Sequence, residues 1–287
     1  MQPLTASPDH LDALAQGRAA VDLSRHRKVR VRGDDARRWL HDLVTADVAS
    51  LEPGAARRSL LLDPTGHIRA DLHVACDDEG FWLFQDARQP EPVDAALAPF
   101  VLSSDVRLDD LTDEFGLIGL PGASGASGGF RPSLLGEGRD LLTMPGSEPK
   151  AIRDRVLVDA DAVEVWRIRS GNPRMGVDFG RTTIPAEAGL DATIDENKGC
   201  FLGQESVARV RNLGHPPRLL RHLGAQGLVP PGSALRTGDG REAGSVTSSA
   251  AADGGGSVVL ATIPWALRDE SFVSADGVPL VPVGSSD

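Results

Sequence analysis

Length, composition and charge exclude several classes of protein. The chain has 287 residues, more than one hydrophobic core usually organises, so two or three packed units are expected. Hydrophobic residues make up 40% and charged residues 25%, which is ordinary globular composition and excludes wholesale disorder. The 41 acidic residues outnumber the 30 basic ones, and the net charge of -11 opposes broad binding to a phosphate backbone. Direct nucleic-acid binding would need a local basic patch and is not predicted.

Targeting signals and cysteine usage indicate the compartment. No stretch approaches the roughly 18 consecutive apolar residues of a membrane span, and the first residues lack the basic and apolar regions of a signal peptide. A cytoplasmic protein without a membrane partner is therefore predicted. The two cysteines, Cys76 and Cys200, lie far apart, so neither a disulfide framework nor a zinc finger is expected.

Apolar spacing and turn residues predict an α+β arrangement for the first 171 residues. The second predicted helix has Asp34 as its N-cap and an apolar face of Trp39, Leu40, Leu43 and Val44. A Gly/Ser-rich loop is predicted at 120–132. The elements are, in order, a helix over 8–20, a strand over 28–33, a helix from 33, an antiparallel three-stranded meander over 59–86, a helix over 91–102, strands at 106–111 and 115–120 that close a mixed layer, and a helix around 159–171.

The C-terminal part of the sequence has a different pattern of apolar and turn residues. After Pro217, short apolar segments alternate with turn residues, which predicts a small β-barrel or sandwich. Residues 238–240 predict a hairpin turn, and 248–257 are predicted to form a loop. The predicted domains are 1–214, with two lobes, and 215–287, the barrel.

Residues 197–205, NKGCFLGQE, stand out because a lysine, a cysteine and two glycines precede a short predicted helix. A helix N-terminus and a neighbouring cation both stabilise a thiolate, so Cys200 is a candidate reactive thiol. The alternative is a small buried side chain in a glycine turn. Cys76 lies on an alternating strand and is predicted to be core, while His67 and His73 have no second group at metal-ligand spacing.

A local excess of basic residues surrounds this segment, between 195 and 222. Such a patch suits an anionic small molecule with several carboxylates or phosphates. A solvated charged face is the alternative. The basic residues are Lys198, Arg209, Arg211, Arg218 and Arg221, and the acidic ones are Asp195, Glu196 and Glu205.

Six segments together carry a family resemblance: 32–48, 60–74, 167–178, 184–191, 198–209 and 244–248. KGCFLGQESVAR, with RIRSGNPRMGVD and IPAEAGLD before it and G-x-V-T-S after it, resembles the YgfZ family of folate-binding, iron-sulfur-cluster assembly proteins. These are relatives of the glycine-cleavage T-protein, an aminomethyltransferase. The resemblance covers nearly the whole chain and implies an α+β fold, in which two intertwined lobes and a C-terminal β-barrel form a ring around a folate-sized hole.

The resemblance also implies roles for individual residues. Cys200 takes the position of the functional cysteine, in a signature motif with Lys198, and Arg167 and Gly171 match a cavity-lining segment. Two departures from T-proteins stand out: Asp71 follows Ala70, where T-proteins have two acids, and Arg169 replaces a glutamate that holds the pterin ring. Arginine cannot accept hydrogen bonds from pterin N-H groups. The predicted cofactor-binding residues are Arg167, Arg169, Gly199, Gln204, Glu205 and Arg209.

Three functions follow from this resemblance. The first is a tetrahydrofolate-binding protein that assists iron-sulfur cluster assembly or repair in client enzymes, including tRNA-modifying ones, with Cys200 as redox thiol or transient cluster ligand. One cysteine cannot hold a cluster alone, so other ligands would come from a partner or small thiols. The second is a folate-dependent aminomethyltransferase or demethylase that uses Asp71 to orient an amine. The third is a binder of a different anionic ligand in the same cavity.

Overall fold

The computed structural model describes residues 2–102, 104–122, 128–147 and 149–284. The chain divides into two compact units. The lobe unit contains the described residues of Pro8–Asp159 and Asp191–Ser206. The barrel unit contains those of Met1–Ser7, Ala160–Leu190 and Val207–Asp287. The domain boundary between residues 214 and 215 stays a prediction.

The lobe unit is built on two sheets. The first has the order β8-β7-β1-β9, and only its β1–β9 pair is parallel. Its strands are β1 (Ala19–Asp22), β7 (Gly116–Pro121), β8 (Gly138–Thr143) and β9 (Val156–Val158). The second is antiparallel with the order β3-β4-β5-β2-β6. Its strands are β2 (Arg27–Arg32), β3 (Ala56–Leu62), β4 (Ile68–Asp77), β5 (Gly80–Gln85) and β6 (Arg107–Asp110). The predicted meander is confirmed as β3-β4-β5, whereas β6 and β7, predicted in one layer, lie in different sheets.

The described residues form five α-helices. They are α1 (Pro8–Ala15), α2 (Ala36–Leu43), α3 (Val93–Leu97), α4 (Ala160–Arg169) and α5 (Gln204–Leu213). Of these, α4 belongs to the barrel unit, and α5 begins in the lobe unit and continues in the barrel unit. Short 3-10 helices lie at Ala98–Phe100, Lys150–Ile152, Asp191–Thr193 and Trp265–Leu267. None of the helices in the described part of the chain is long and apolar enough to cross a membrane.

Two helix predictions are wrong in detail. The first helix was predicted to run to Ala20, but it ends at Ala15, and Gly17 then takes a φ of 65°. This left-handed turn leads into β1, whose pairing with β7 and β9 overrides the apolar helical spacing. The N-cap of α2 is Asp35 rather than Asp34. The Asp35 side chain makes no cap bond and instead accepts from the backbone N of Asp105 at 2.8 Å.

The core of the lobe unit lies between α2, α3 and the second sheet. Trp39, Leu40, Leu43 and Val44 are all buried, as predicted, and belong to one hydrophobic cluster. Cys76 is 0% exposed in the same cluster, which confirms it as a core residue. Burial of these side chains fixes the position of the C-terminal end of α2, on which the signature segment depends.

The barrel unit contains a closed six-stranded barrel, which confirms the α+β class with a C-terminal β-barrel. Its strands are β10 (Arg218–Ala225), β11 (Ala234–Thr237), β12 (Glu242–Ala251), β13 (Ser257–Pro264), β14 (Phe272–Ser274) and β15 (Pro279–Pro282). Part of the loop predicted at 248–257 is wrong, because Ser248–Ala251 continue β12. The Ser248 and Ser249 side chains are buried and hydrogen-bonded, which offsets their polarity in a strand. Residues 123–127 of the other predicted loop lie outside the described residues.

Candidate functional site in the signature segment

Lys198 ties the signature segment to the end of α2. Its Nζ donates to the carbonyl oxygens of His41 at 2.5 Å, Val44 at 2.5 Å and Ala46 at 3.1 Å. An ammonium group has three donors, and a positive charge is favourable beside the carbonyls that a helix leaves unpaired at its C-terminus. Burial lowers the pKa of Lys198 to about 8, so the amine is still mostly protonated at pH 7. Lys198 is therefore an anchor of the segment.

Hydrogen bonds to Thr45 also fix the backbone that precedes Lys198. Thr45 Oγ1 donates to the carbonyl oxygen of Thr193 at 2.9 Å, and the backbone N of Asp195 donates to the carbonyl oxygen of Thr45 at 3.0 Å. The same hydroxyl accepts from the backbone N of Leu60 at 2.9 Å, which connects the segment to β3. The backbone that precedes the signature is therefore fixed to Thr45 and, through Thr45, to β3.

Gly203, three residues after Cys200, packs against Gly66 of the β3–β4 hairpin turn. Gly203 has a φ of +83°, and a Cβ at this position would lie 2.6 Å from the carbonyl oxygen of Asp63. Gly66, in the hairpin turn between β3 and β4, has a φ of +86°, and a Cβ there would lie 2.7 Å from the Ser206 Cβ. Gly199 differs, since nothing lies within 4 Å of a Cβ built on it. Gly203 is required by packing, whereas Gly199 leaves open space next to Cys200.

Cys200 is exposed, in contrast to Cys76. It lies four residues before Gln204, the first residue of α5. The side-chain oxygen of Gln204 accepts a hydrogen bond from the backbone N of Phe201 at 3.3 Å. Lys198, the cation that was predicted to stabilise a thiolate here, donates instead to three carbonyl oxygens in the last turn of α2 and just after it. Accessibility, rather than a lysine contact, is therefore the structural support for a working thiol at this position.

The carboxylate of Asp71, on β4, is fully engaged by one arginine. Arg58 donates to its two oxygens, from Nε at 2.9 Å and from Nη2 at 2.6 Å, and the Asp71 side chain is only 12% exposed. The Gln89 amide holds the Asp71 backbone on both sides, since its oxygen accepts from the Asp71 N at 3.0 Å and its nitrogen donates to the Asp71 O at 2.6 Å. Asp71 is placed as half of a bidentate ion pair.

The neighbouring His73 does not supply an acid or base either. It lies opposite Arg58 in the β3–β4 register. Burial, followed by the nearby Arg58 charge, lowers the pKa of His73 to about 3, so the ring is neutral at physiological pH. Its Nδ1 is buried without a hydrogen-bond partner. The surroundings of Asp71 therefore contain a fixed cation and a neutral imidazole.

A cavity of about 620 Å³ opens in the lobe unit beside these residues. Its wall combines guanidinium, carboxylate and amide groups. Within the wall, Arg57 donates to the Asp47 carbonyl oxygen at 3.0 Å, and its Nη1 lies 3.9 Å from the Asp195 carboxylate. Sequence reasoning missed this cavity; the available signal was a pair of adjacent arginines in the mostly apolar strand β3. The lining residues are Ala46, Asp47, Ala56, Arg57, Arg58, Pro132 and 192–197.

In the barrel unit, Arg167 is the centre of a buried ionic network. Its guanidinium donates to Asp178 at 2.7 Å, to Ser248 at 2.9 Å and to Glu164 at 2.6 Å and 3.1 Å. The other Asp178 oxygen accepts from the Thr247 and Ser248 hydroxyls, each at 2.6 Å. Two segments of the family resemblance are thereby joined: 167–178, which contains Arg167 and Asp178, and 244–248, which contains Thr247 and Ser248. Sequence reasoning missed Asp178, although it lies in one of the quoted segments.

The remaining predicted ligand residues are placed as follows. Arg169 donates to the carbonyl oxygen of Ala251 at 2.6 Å and 2.9 Å and to Asp253 at 2.9 Å, so its guanidinium holds the end of β12. Glu205 and Arg209 are exposed on α5. Lys198, Gly199, Cys200, Gln204 and Glu205 belong to the lobe unit with Asp71, whereas Arg167, Arg169 and Arg209 belong to the barrel unit. Ligand binding by these residues stays a prediction.

The described residues contain no group of three or more histidine, cysteine or acidic side chains arranged to hold a metal ion.

Known proteins share sequence similarity with this chain. The model of the GCVT N-terminal domain matches residues 5–127. A putative chloroplastic transferase from Arabidopsis thaliana is 25% identical over 273 residues, which are 83% of this chain and 63% of that relative, so the match spans less than two thirds of the relative. The tRNA-modifying protein YgfZ of Colwellia psychrerythraea is 24% identical over 274 residues, 85% of this chain and 84% of the relative.

The fold matches a solved structure. The glycine cleavage system aminomethyltransferase T from Bartonella henselae has a TM-score of 0.79 with this chain, at 22% identity, over 97% of this chain and 89% of that one. This similarity shows the T-protein fold.

Proposed function

We propose that this chain, a YgfZ-like protein related to the glycine-cleavage T-proteins, is a folate-binding accessory protein that assists assembly or repair of iron-sulfur clusters in client enzymes. The clients include tRNA-modifying enzymes, in line with the name of the Colwellia relative. The folate is a bound ligand, and the cluster is cargo.

The observation that carries this proposal is the pairing of Asp71 with Arg58. An aminomethyltransferase of the T-protein type needs a group within hydrogen-bond reach of the substrate nitrogen. Here the carboxylate that remains of the acid pair already accepts two guanidinium N-H groups at 2.6–2.9 Å. The neutral His73 beside it offers no substitute. The exposed Cys200 in an anchored signature supports a role for a thiol instead.

The cavity in the lobe unit suits a folate in size and chemistry. Its volume of about 620 Å³ lies within the range of roughly 300–1,000 Å³ that is usual for small-molecule sites. Asp47, Asp195 and the amide of Asn197 supply acceptors for pterin N-H groups, and Arg57 supplies a cation for a glutamate carboxylate. In contrast, the donors of Arg167 and Arg169 are bonded to protein groups. We therefore assign ligand binding to the cavity lined by Arg57.

Calorimetry with tetrahydrofolate triglutamate tests this assignment. We expect Arg57→Ala to weaken binding by about 10-fold to 100-fold, because a hydrogen bond to a charged group contributes about 1.5–3 kcal/mol. Arg169→Ala is the matched control and should bind within about twofold of the unmodified chain, since its guanidinium is held by Ala251 and Asp253. The reverse order of effects would place the ligand at Arg169, and no folate binding at all would favour the different anionic ligand.

Complementation tests the accessory role. In a strain that lacks its own YgfZ protein, we expect Cys200→Ser to lose most of the client iron-sulfur enzyme activity, because the hydroxyl keeps the shape but removes the thiolate chemistry. Asp71→Asn should retain it, whereas loss of a substrate-orienting base costs about 100-fold or more in rate.

Cys76→Ala is the control for thiol loss, since it removes the buried cysteine without touching the signature. Melting curves show whether each variant is folded. Full complementation by Cys200→Ser together with failure of folded Asp71→Asn would contradict the accessory role and support the aminomethyltransferase.

A further inference from the structure

An aromatic and cationic surface lies on the barrel unit, whereas Arg57, Asp71 and Cys200, which the proposed function uses, belong to the lobe unit. The rings of His215 and Trp265 are stacked, with centroids 5.0 Å apart and an interplanar angle of 2°. The guanidinium of Arg268 lies 4.9 Å from the centre of the same indole. His215 is exposed and Trp265 is partly exposed. Three flat π-systems are therefore grouped at the surface.

Two more arginines join this group. Arg221 donates from Nη1 to the Arg268 carbonyl oxygen at 3.1 Å. The exposed Arg218 pairs with Pro264, next to Trp265, in the β10–β13 ladder. The backbone N of Trp265 donates to the Pro217 carbonyl oxygen at 2.9 Å, which fixes the short 3-10 helix on the start of β10. We call His215, Arg218, Arg221, Trp265 and Arg268 the Trp265 surface.

The Trp265 surface is cationic in a chain whose net charge is -11. Asp269 contacts Arg268 at 3.2 Å, but its side chain is 82% exposed. An ion pair this exposed is weak and is screened by salt. The arginines therefore remain able to attract phosphate groups.

We propose that the Trp265 surface binds single-stranded nucleic acid. A base stacks on the open His215 ring, and the backbone phosphates pair with Arg218, Arg221 and Arg268. Composition alone predicted no direct nucleic-acid contact, and the local basic patch that such contact requires is present here. This inference goes beyond the proposed function and does not depend on it.

The chemistry favours an unpaired strand over the other anionic partners. An acidic peptide would use the charge but not the stacked rings. In a duplex the base faces are already stacked on one another, so the arginines could contact the phosphates but no base could stack on His215. Single strands use both features, because every base has a face that stacks on an aromatic ring.

Fluorescence anisotropy with the full chain tests the proposal. The probes are fluorescein-labelled single-stranded RNA and DNA 20-mers of one sequence and the corresponding duplex, over a potassium chloride series. We expect the Arg218→Glu/Arg268→Glu variant to bind the single strands at least tenfold more weakly. The slope of log K against log salt should fall by about 1.4, since each phosphate contact on a single strand contributes about 0.7.

Two further variants separate stacking from charge. Arg25→Glu/Arg38→Glu makes the same charge change at exposed arginines of the lobe unit, and should stay within about twofold of the unmodified chain. His215→Ala should weaken binding about tenfold with an unchanged salt slope, as expected for one lost base stack. Melting curves establish that each variant is folded, and His215→Gln replaces His215→Ala if that variant is not.

The results identify the ligand of the Trp265 surface or overturn the proposal. Stronger RNA binding than DNA binding assigns an RNA strand, and equal binding assigns a single strand of either sugar. The proposal is overturned if the duplex binds as tightly as the single strands, or if both double variants lose affinity equally. It is also overturned if poly-L-glutamate binds more tightly than RNA and depends on the same arginines, which would assign an acidic protein partner.

Discussion

Arg167→Ala is expected to lower the free energy of unfolding by about 3–5 kcal/mol, the usual cost of removing one partner of a buried ion pair. The Asp178 side chain is 0% exposed, and Arg167 supplies its counter-charge at 2.7 Å. Without the guanidinium, the carboxylate keeps hydrogen bonds from Thr247, Ser248 and the backbone N of Arg174, but it is left as an uncompensated buried charge. Glu164, the other acid that pairs with Arg167, would keep its ion pair with Arg174.

Urea denaturation measures this effect, and Arg209→Ala provides the control. Arg209 is an exposed arginine of the barrel unit, so its truncation should change stability by no more than about 0.5 kcal/mol. Equal, small effects of the two substitutions would show that Arg167 is not a structural hub. A large loss of folate affinity in Arg167→Ala at unchanged stability would restore the cavity role that the resemblance implied.

Arg167 illustrates what the sequence could and could not reveal about the site. The motif was identifiable, but its structural role depends on Asp178, Thr247 and Ser248, and the last two are distant in the chain. The lobe cavity was missed for the same reason, because its wall joins β3 to the 192–197 segment. Contacts between distant segments are not encoded in local spacing, so a residue can be recognised while its partners remain hidden.

The fold was more accessible because its signals are local. The DPTG turn and the alternation around it were sufficient to predict the β3-β4-β5 meander, and the short strands after Pro217 predicted the barrel. The errors arose where tertiary pairing overrode local preference. Ala19 and Ala20 continue an apolar helical stripe but pair with β9, and Ser248 and Ser249 look like loop residues but are buried in β12 with their hydroxyls bonded.

Gly203→Ala is expected to lower the free energy of unfolding by about 2 kcal/mol or more. Its φ of +83° is left-handed, which costs a residue with a Cβ about 1–2 kcal/mol. The added Cβ would also lie 2.6 Å from the Asp63 carbonyl oxygen and 3.0 Å from the Leu62 Cβ. Neither neighbour is a flexible side-chain end, so the hairpin or the start of α5 must shift to relieve the contact.

Gly199→Ala is the control, because it shows whether any alanine substitution of a signature glycine lowers stability. Nothing lies within 4 Å of the Cβ that it adds, so its stability should stay within about 0.5 kcal/mol of the unmodified chain. Thermal and urea unfolding of the two variants provide the comparison. Equal stability of the two would mean that the close approach of Gly203 to the hairpin does not hold in solution. A loss confined to Gly203→Ala would show that this glycine of the signature is required by the fold, and that Gly199 beside the exposed thiol is not.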